Sequence, residues 1–254
     1  MNYNTSHDAN DKTIVDALRR SLNQCEAQLA QAQQEIAGLL YAISHDLRAP
    51  LRALTGFNQA LQEHLASATD DVGKHFLQRL EQSSQRLSTM IDALMSLSRV
   101  SQADMMPMDC DLGSLCLEAV AEIAPRYPHH QPNINISSPL PIHGDARLLK
   151  QAVTKLLENA WKCTLNRPDP RIEVGSIQEA ENRIYYVRDN GVGFDMSLAN
   201  KLFIPFQQVH SDVQLRGQGL GLAMTQRIIA RHGGRIWAQS EPHHGTQFFF
   251  AIPS

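Results

Sequence analysis

Apolar residues recur along the first part of the chain in alternating steps of three and four. Val15, Leu22, Leu29, Ile36 and Ile43 fall at one seam position; Leu18, Cys25, Ala32 and Leu39 fall at the other. Glutamines fill much of the intervening face. This heptad pattern predicts a coiled coil. The step then changes: Leu39, Ile43, Leu47 and Leu51 follow at intervals of four before Leu54, Leu61 and Leu65 resume the heptad. Consecutive steps of four are a stutter, which unwinds a left-handed supercoil locally. The stutter brackets "SHDLRAP", where Pro50 removes a backbone donor from a helical pattern at about 3 kcal/mol. Two independent features therefore predict a loosened, bent helix around His45.

"SATDDVG", residues 67 to 73, predicts a turn. A second amphipathic helix follows, with Phe76, Leu80, Leu87, Met90, Leu94 and Leu97 on its apolar face. Helices joined by so short a loop lie antiparallel. Two such hairpins from two chains would make a four-helix bundle continuing the coiled coil. "SQADMMPMDCDLG" then breaks the periodicity and reads as a hinge.

Beyond it the pattern is mixed. "DLGSLCLEAVAEIA" reads as a helix and "NINIS" as a short strand. "DARLLKQAVTKLLENAWKCT" reads as a long helix opened by an aspartate. "RIEVGSI" and "RIYYVRDNG" alternate as strands, "GLAMTQRIIARHGG" is a helix stopped by glycines, and "RIWAQSE" and "TQFFFAIP" close the chain as strands. Hairpin strands with helices between them predict an α+β sandwich. The fold class expected is multidomain: an all-α antiparallel hairpin with an N-terminal coiled coil, plus an α+β sandwich.

Composition removes some function classes. The 254 residues suffice for two ordinary domains, and 43% hydrophobic content sustains a packed core. A net charge of −3 gives no nucleic-acid signature. The four cysteines show no CxxC pair, so neither a zinc site nor a disulfide framework is expected. The polar start reads as lacking a signal peptide, and no apolar run approaches the roughly 18 residues of a membrane span. The expectation is a cytoplasmic protein.

Four stretches carry candidate chemistry. "SHDLRAPL" sets His45 beside Asp46. "KLLENAWKCT" places Lys155, Asn159 and Lys162 on one helix face; an asparagine oxygen suits magnesium, which binds through few protein groups plus phosphates, and a lysine neutralises phosphate charge. A solvated surface face is the plain alternative. "DNGVGFD" follows a strand, and its glycines let backbone approach a ligand closely; Asp189 is an acceptor fit for an adenine amino group, although Asp-Asn-Gly also makes an ordinary turn. "RGQGLGLA" opens a helix with Gly217, Gly219 and Gly221, and free N–H groups at such a start suit phosphate. It is neither a Walker loop nor a dinucleotide motif.

The order of these stretches resembles the sensor histidine kinases of two-component signalling over about residues 12 to 253. "SHDLRAPL" is similar to their H box, "LLENAWK" to the N box, "DNGVGFD" to the G1 box, "LFIPFQQ" to the F box and "GQGLGLA" to the G2 box. "SHDLRAPLRAL", "DNGVGFDM" and "RHGGRIWAQSE" are nearest in wording to the phytochrome-like group. The resemblance implies a protein histidine kinase that uses ATP and Mg2+, autophosphorylates and passes the phosphoryl group to the receiver domain of a response regulator. It implies His45 as phosphoacceptor and Asp46 as general base, a pairing that helix geometry alone does not give, since neighbours i and i+1 do not face each other. It implies an ATP-binding sandwich of the type shared with Hsp90 and gyrase, with Asn159 on magnesium and Lys162 on phosphate. Asp189 would take the adenine amino group, with Gly191 and Gly193 shaping that pocket. Phe203 and Phe206 would anchor a lid over residues 195–218, and Gly217, Gly219 and Gly221 would let it close.

The division that follows is a coiled-coil signalling helix over 1–40, a dimerisation and phosphotransfer hairpin over 41–100, a hinge over 101–108 and a catalytic domain over 109–254. The partners expected are a second copy of the chain, a receiver domain and an upstream sensor, with no nucleic acid. Three residues depart from the family pattern: Lys155 stands in place of the first N-box asparagine, Gln218 in place of a threonine or serine, and Ala49 in place of a threonine or asparagine. The competing readings are a silent dimeric scaffold and an ATPase or serine kinase of the same ATP-binding fold.

Overall fold

The computed structural model describes residues 5–65, 71–179, 182–207, 209 and 219–253. They form two compact units, one to Ser84 and one from Gln85 onward.

The first unit is helical. Helix α1 runs Thr5–Leu65, continuous through Pro50, and α2 runs Asp71–Gln102. The helix assignment is unbroken at Pro50, so no break marks the predicted loosening. α2 starts earlier than the turn reading allowed: Asp71, Val72 and Gly73 are helical, and residues 67–70 of that turn lie outside the described residues. The two helices are stitched side by side within this unit. Asn58 Nδ2 donates to the Leu77 carbonyl (3.3 Å), and Gln62 Nε2 donates to Glu81 Oε2 (3.2 Å). Ser44, Leu51 and Asn58, seven residues apart, form a buried line on α1. Much of the rest of the apolar pattern is open: Leu22, Ile36, Leu39, Ile43, Leu47, Leu54 and Leu61 on α1 are exposed, as are Phe76 and Leu80 on α2. The side chains of seam positions Val15, Leu18 and Leu29 lie outside the described residues.

The second unit is an α/β sandwich. After α2 come β1 (Met108–Asp111), α3 (Leu112–Ile123), β2 (Asn133–Ile136), β3 (Pro141–Gly144), α4 (Ala146–Cys163), β4 (Arg171–Glu179), β5 (Asn182–Asp189), α5 (Gly221–Arg231), β6 (Arg235–Glu241) and β7 (Gly245–Ala251). The main sheet has the order β2-β4-β5-β7-β6, antiparallel except for the parallel β2–β4 pair. β1 and β3 make a separate antiparallel pair, absent from the sequence reading. Alternation along the strands sorts the two faces. Phe248 and Phe250 point into a core with Ile172, Val174, Tyr185 and Val187, closed by Leu149, Val153, Leu156, Leu157 and Trp161 of α4. Phe249 turns to the other face and stacks on Trp237, which Arg235 covers.

Two aspartates fix the helix starts. Asp111 caps α3, accepting from the Gly113 and Ser114 backbone N–H groups, and also receives Leu140 N–H at 2.6 Å. Asp145 caps α4 through the Arg147 and Leu148 N–H groups, which otherwise lack helical partners. Burial alone would raise the Asp145 pKa, but hydrogen bonds from the Arg147 guanidinium and from the Met106 and Leu148 N–H groups outweigh it and hold the carboxyl far below its ordinary range.

The end of α2 belongs to this unit. Val100 packs with Leu148, Ala152, Met224 and Ile228 in a second apolar cluster, with Leu97 and Met105 against it. Around it runs a set of polar ties. Arg231 donates to the carbonyls of Val100 and Ala103, Arg227 Nε donates to Ser101 Oγ (3.0 Å), Arg147 donates to the Asp104 carbonyl (3.3 Å), and Met106 N–H donates to Asp145 Oδ2 (3.0 Å). Among the described residues no helix is long and apolar enough to cross a membrane.

Candidate functional site

Each unit carries one candidate site. In the first, His45 stands on the outside of α1, one position round from the buried Ser44. Its Nδ1 lies 3.2 Å from Asp46 Oδ1, and both side chains are largely exposed. The neighbours meet beyond the helix surface, where both side chains are open to solvent. A carboxylate only accepts, so the contact is a hydrogen bond in the tautomer that carries the ring proton on Nδ1 and leaves Nε2 as the free lone pair. Ala49, one turn on, is exposed as well.

In the second unit, the end of β5 delivers Asp189 into the protein interior, 4% exposed. Oδ1 accepts from the Gly191 N–H (2.8 Å) and the Thr246 N–H (3.3 Å). Oδ2 is buried with no hydrogen-bond partner. Burial raises the carboxyl pKa to about 7, with the Gly191 and Thr246 N–H groups and Arg167 pulling the other way. A buried polar atom left unpaired is costly. Among the described residues nothing donates to this oxygen, so its acceptor capacity is unused.

The loop after Asp189 needs its glycines. A Cβ on Gly191 would stand 2.5 Å from the Cys163 carbonyl oxygen, the last turn of α4. Gly193 has φ +60, and a Cβ there would meet the Glu241 carbonyl oxygen at 2.0 Å. The loop is thereby pressed between α4 and the β6–β7 turn. Arg167 seals it, donating to the carbonyls of Gly191 and His243. Thr246 and Arg167 were not singled out from sequence. Thr246 reaches the site through the β5–β7 register, where it pairs with Asp189; no local motif marks either residue.

Along α4 the other candidates share a face. Asn159 is half-buried and its side chain forms no hydrogen bond among the described residues. Lys162 and Lys155 both approach Glu158, at 3.7 and 3.4 Å, and Arg126 binds the same carboxylate at 3.0 Å. Burial would raise the Glu158 pKa, but Lys155, Lys162 and Arg126 together hold it below the ordinary range. Among the described residues no cluster of three or more His, Cys, Asp or Glu is arranged to hold a metal. The donor set here, one free amide oxygen beside an engaged carboxylate, fits an ion held mainly by phosphate and water, as magnesium commonly is.

The lid candidates divide. Phe203 packs against the core. Phe206 is exposed and adopts φ 65, a backbone conformation uncommon for a bulky residue. Its N–H donates to the Gly219 carbonyl (2.8 Å), and Gly219 itself has φ +69. Gly221 begins α5, whose N-terminus has no side-chain cap. Gly217, Gln218 and the lid residues 208 and 210–218 lie outside the described residues.

A helical hairpin bearing an exposed histidine–acid pair, followed by this sandwich with an open acceptor at the end of its central strand, defines a two-module signalling kinase architecture. Family models agree: residues 36–103 match the His Kinase A (phospho-acceptor) domain, and residues 144–254 match the histidine kinase-, DNA gyrase B- and HSP90-like ATPase domain. The chain belongs to the sensor histidine kinases. Among its relatives is the methanogenesis regulatory histidine kinase FilI of Methanothrix harundinacea, 33% identical over 93% of this chain and 26% of that protein. Another is the phytochrome-like protein Cph1 of Synechocystis, 27% identical over 95% of this chain and 33% of that protein. The chain thus spans about a quarter to a third of these relatives. Full-length ShkA, solved in complex with AMPPNP, shares the fold over 85% of this chain and 45% of its own, with TM-score 0.60 and 24% identity.

Proposed function

We propose that the chain is an ATP-dependent protein histidine kinase that phosphorylates itself on His45 and passes the phosphoryl group to an aspartate of a response regulator. The observation that carries this reading is the His45–Asp46 contact on an exposed helix face. A neutral imidazole is a competent nucleophile near neutral pH. Nε2 attacks the γ-phosphorus in line, the bond from that phosphorus to the β,γ-bridging oxygen breaks, and ADP leaves. Attack makes the ring cationic, and Asp46 receives or shares the Nδ1 proton, acting as general base. The rest of the catalysis is positioning and charge neutralisation. The receiver's aspartate then displaces the imidazole from phosphorus.

In the sandwich, Asp189 Oδ2 takes the adenine amino group and Gly191 and Gly193 wall the base. Asn159 holds magnesium and Lys162 meets the phosphates, the ion supplying charge neutralisation when bound. Phe203 anchors a lid that Gly217, Gly219 and Gly221 allow to close over the nucleotide, with Phe206 at its edge. The chain divides at about 40, 100 and 108 into signalling helix, phosphotransfer hairpin, hinge and catalytic domain. The exposed heptad of α1 is covered by a second copy, so the working unit is a parallel homodimer, driven by an upstream sensor and supplied with ATP in the cytoplasm.

Incubation with γ-labelled ATP and Mg2+ tests the core of this. Label is expected on wild type, none on His45→Gln, and none on Asn159→Ala although its hairpin is intact. The label should be acid-labile, as a phosphoserine would not be. Undiminished label on His45→Gln would overturn the assignment.

A further inference from the structure

Lys155 sits where an anionic ligand would arrive, and it is loosely held. It lies one turn from Asn159 on the same face of α4. Its aliphatic stem rests against the start of α5: a Cβ built on Gly221 would be 3.7 Å from Lys155 Cβ and Cδ. There the uncapped first turn of α5 offers backbone N–H groups. At the C-terminal end of α4, two turns beyond Lys155, the Cys163 carbonyl touches the Gly191 loop beside the unpaired Asp189 oxygen. At 1.5 Å rise per residue, Lys155 is about 12 Å along the helix from Cys163. A nucleotide with its base on Asp189 and its phosphates toward α5 would run along this face and end at the lysine.

The charge arrangement supports the same end. Three cations, Arg126, Lys155 and Lys162, meet the single carboxylate of Glu158. Lys155 uses Oε2 at 3.4 Å, whereas Arg126 and Lys162 use Oε1. Withdrawal of Lys155 leaves Glu158 paired, and a part-exposed ion pair of this kind contributes little. The ammonium can therefore leave Glu158 for a better anion at little cost.

We propose that Lys155 binds the terminal phosphates of the nucleotide directly, and that its charge does part of the neutralisation otherwise left to the divalent cation. The inference rests on the nucleotide-site reading given above. Its consequence is nucleotide binding that survives removal of magnesium better than a single amide ligand, Asn159, would allow.

Calorimetric titration of the full chain with ATP, in excess MgCl2 and again in EDTA, tests it with no reliance on turnover. Wild type should weaken less than about tenfold in EDTA. Lys155→Gln should weaken about 10- to 100-fold further in EDTA, the scale of a charge-assisted hydrogen bond, and by much less in magnesium. Lys155→Arg should behave as wild type, since the charge is kept. An EDTA-to-magnesium affinity ratio that is the same in wild type and Lys155→Gln would overturn the role of Lys155 while leaving the nucleotide site standing. Wild-type binding strictly dependent on magnesium would do the same. No ATP binding by folded wild type under either condition would remove the nucleotide reading and this inference together.

Discussion

The two units solve the burial problem in opposite ways. In the sandwich, Trp161, Phe248, Phe250 and the aliphatic face of α4 are almost wholly enclosed by the chain's own sheet and helices. In the long helix, Leu39 is 63% exposed and Ile43 53%, and Ile36 and Leu22 are as open. Both regions have regular apolar periodicity, so periodicity alone does not say who covers the apolar face. One unit is internally satisfied. The other carries a stripe that its own unit leaves uncovered, and burial of that stripe would be worth about 25 cal/mol per Å² of apolar surface.

The largest expected effect comes from attacking that stripe. Leu39→Asp combined with Ile43→Asp should abolish the dimer, read as a halved mass by light scattering, while ATP affinity of the sandwich in calorimetry stays within about threefold, since sites this independent seldom couple. A wild-type mass already equal to 28.4 kDa would end the contrast drawn here. In wild type, the exposed Cys25 on the seam should cross-link to its copy under mild oxidation.

Next in size is Asp46→Asn. It should slow autophosphorylation by roughly 10²–10⁴-fold with ATP binding unchanged; a twofold loss would mean the imidazole needs no base.

Asp189 gives a pH signature confined to the sandwich. Its folded pKa is raised to about 7 by burial, against about 4 when unfolded. The folded state therefore keeps a proton that the unfolded state has lost, and stability falls as pH rises from about 4 to 7 and is level beyond. Asp189→Asn should make the ligand-free sandwich more stable at pH 8, by about 2–4 kcal/mol, and flatten that slope in denaturant titrations. A donor on Oδ2 favours the ionised form, so ATP should bind wild type more tightly as pH rises through 7, releasing a proton that calorimetry in buffers of different ionisation enthalpy detects. A binding affinity indifferent to pH between 6 and 8 would argue against a donor there.

Comparable in size is Asp145→Ala, which removes a helix cap and a buried partner of Arg147 and Met106. It should cost the sandwich about 2–4 kcal/mol and leave the dimer intact. For the native Asp145 the sign is opposite to Asp189: its contribution is present above about pH 4 and lost as pH falls further.

Much of this was legible in the sequence because it is local. α4 announces itself by Asp145 and a long amphipathic run, and α5 ends at Arg231, just before Gly233 and Gly234, which predicted its stop. β1 and β3 were not legible: each has four residues, β3 begins with proline and ends with glycine, and each depends on a partner some thirty residues away. The His45–Asp46 contact was beyond helical-face reasoning, because it is made by side chains leaving the helix surface. Thr246 joins Asp189 across 57 residues through strand register, and Arg167 closes the loop through two carbonyls. Such contacts exist only once the sheet has formed.

The ties at the end of α2 have a mechanical meaning. The stretch expected as a hinge, 101–108, is gripped through Ser101, Ala103, Asp104 and Met106, with Val100 just before it, by Arg231, Arg227, Arg147 and Asp145. A slack cord would let the catalytic body tumble regardless of what the helix does. A gripped shaft instead makes the end of α2 part of the sandwich itself, inside the same compact unit.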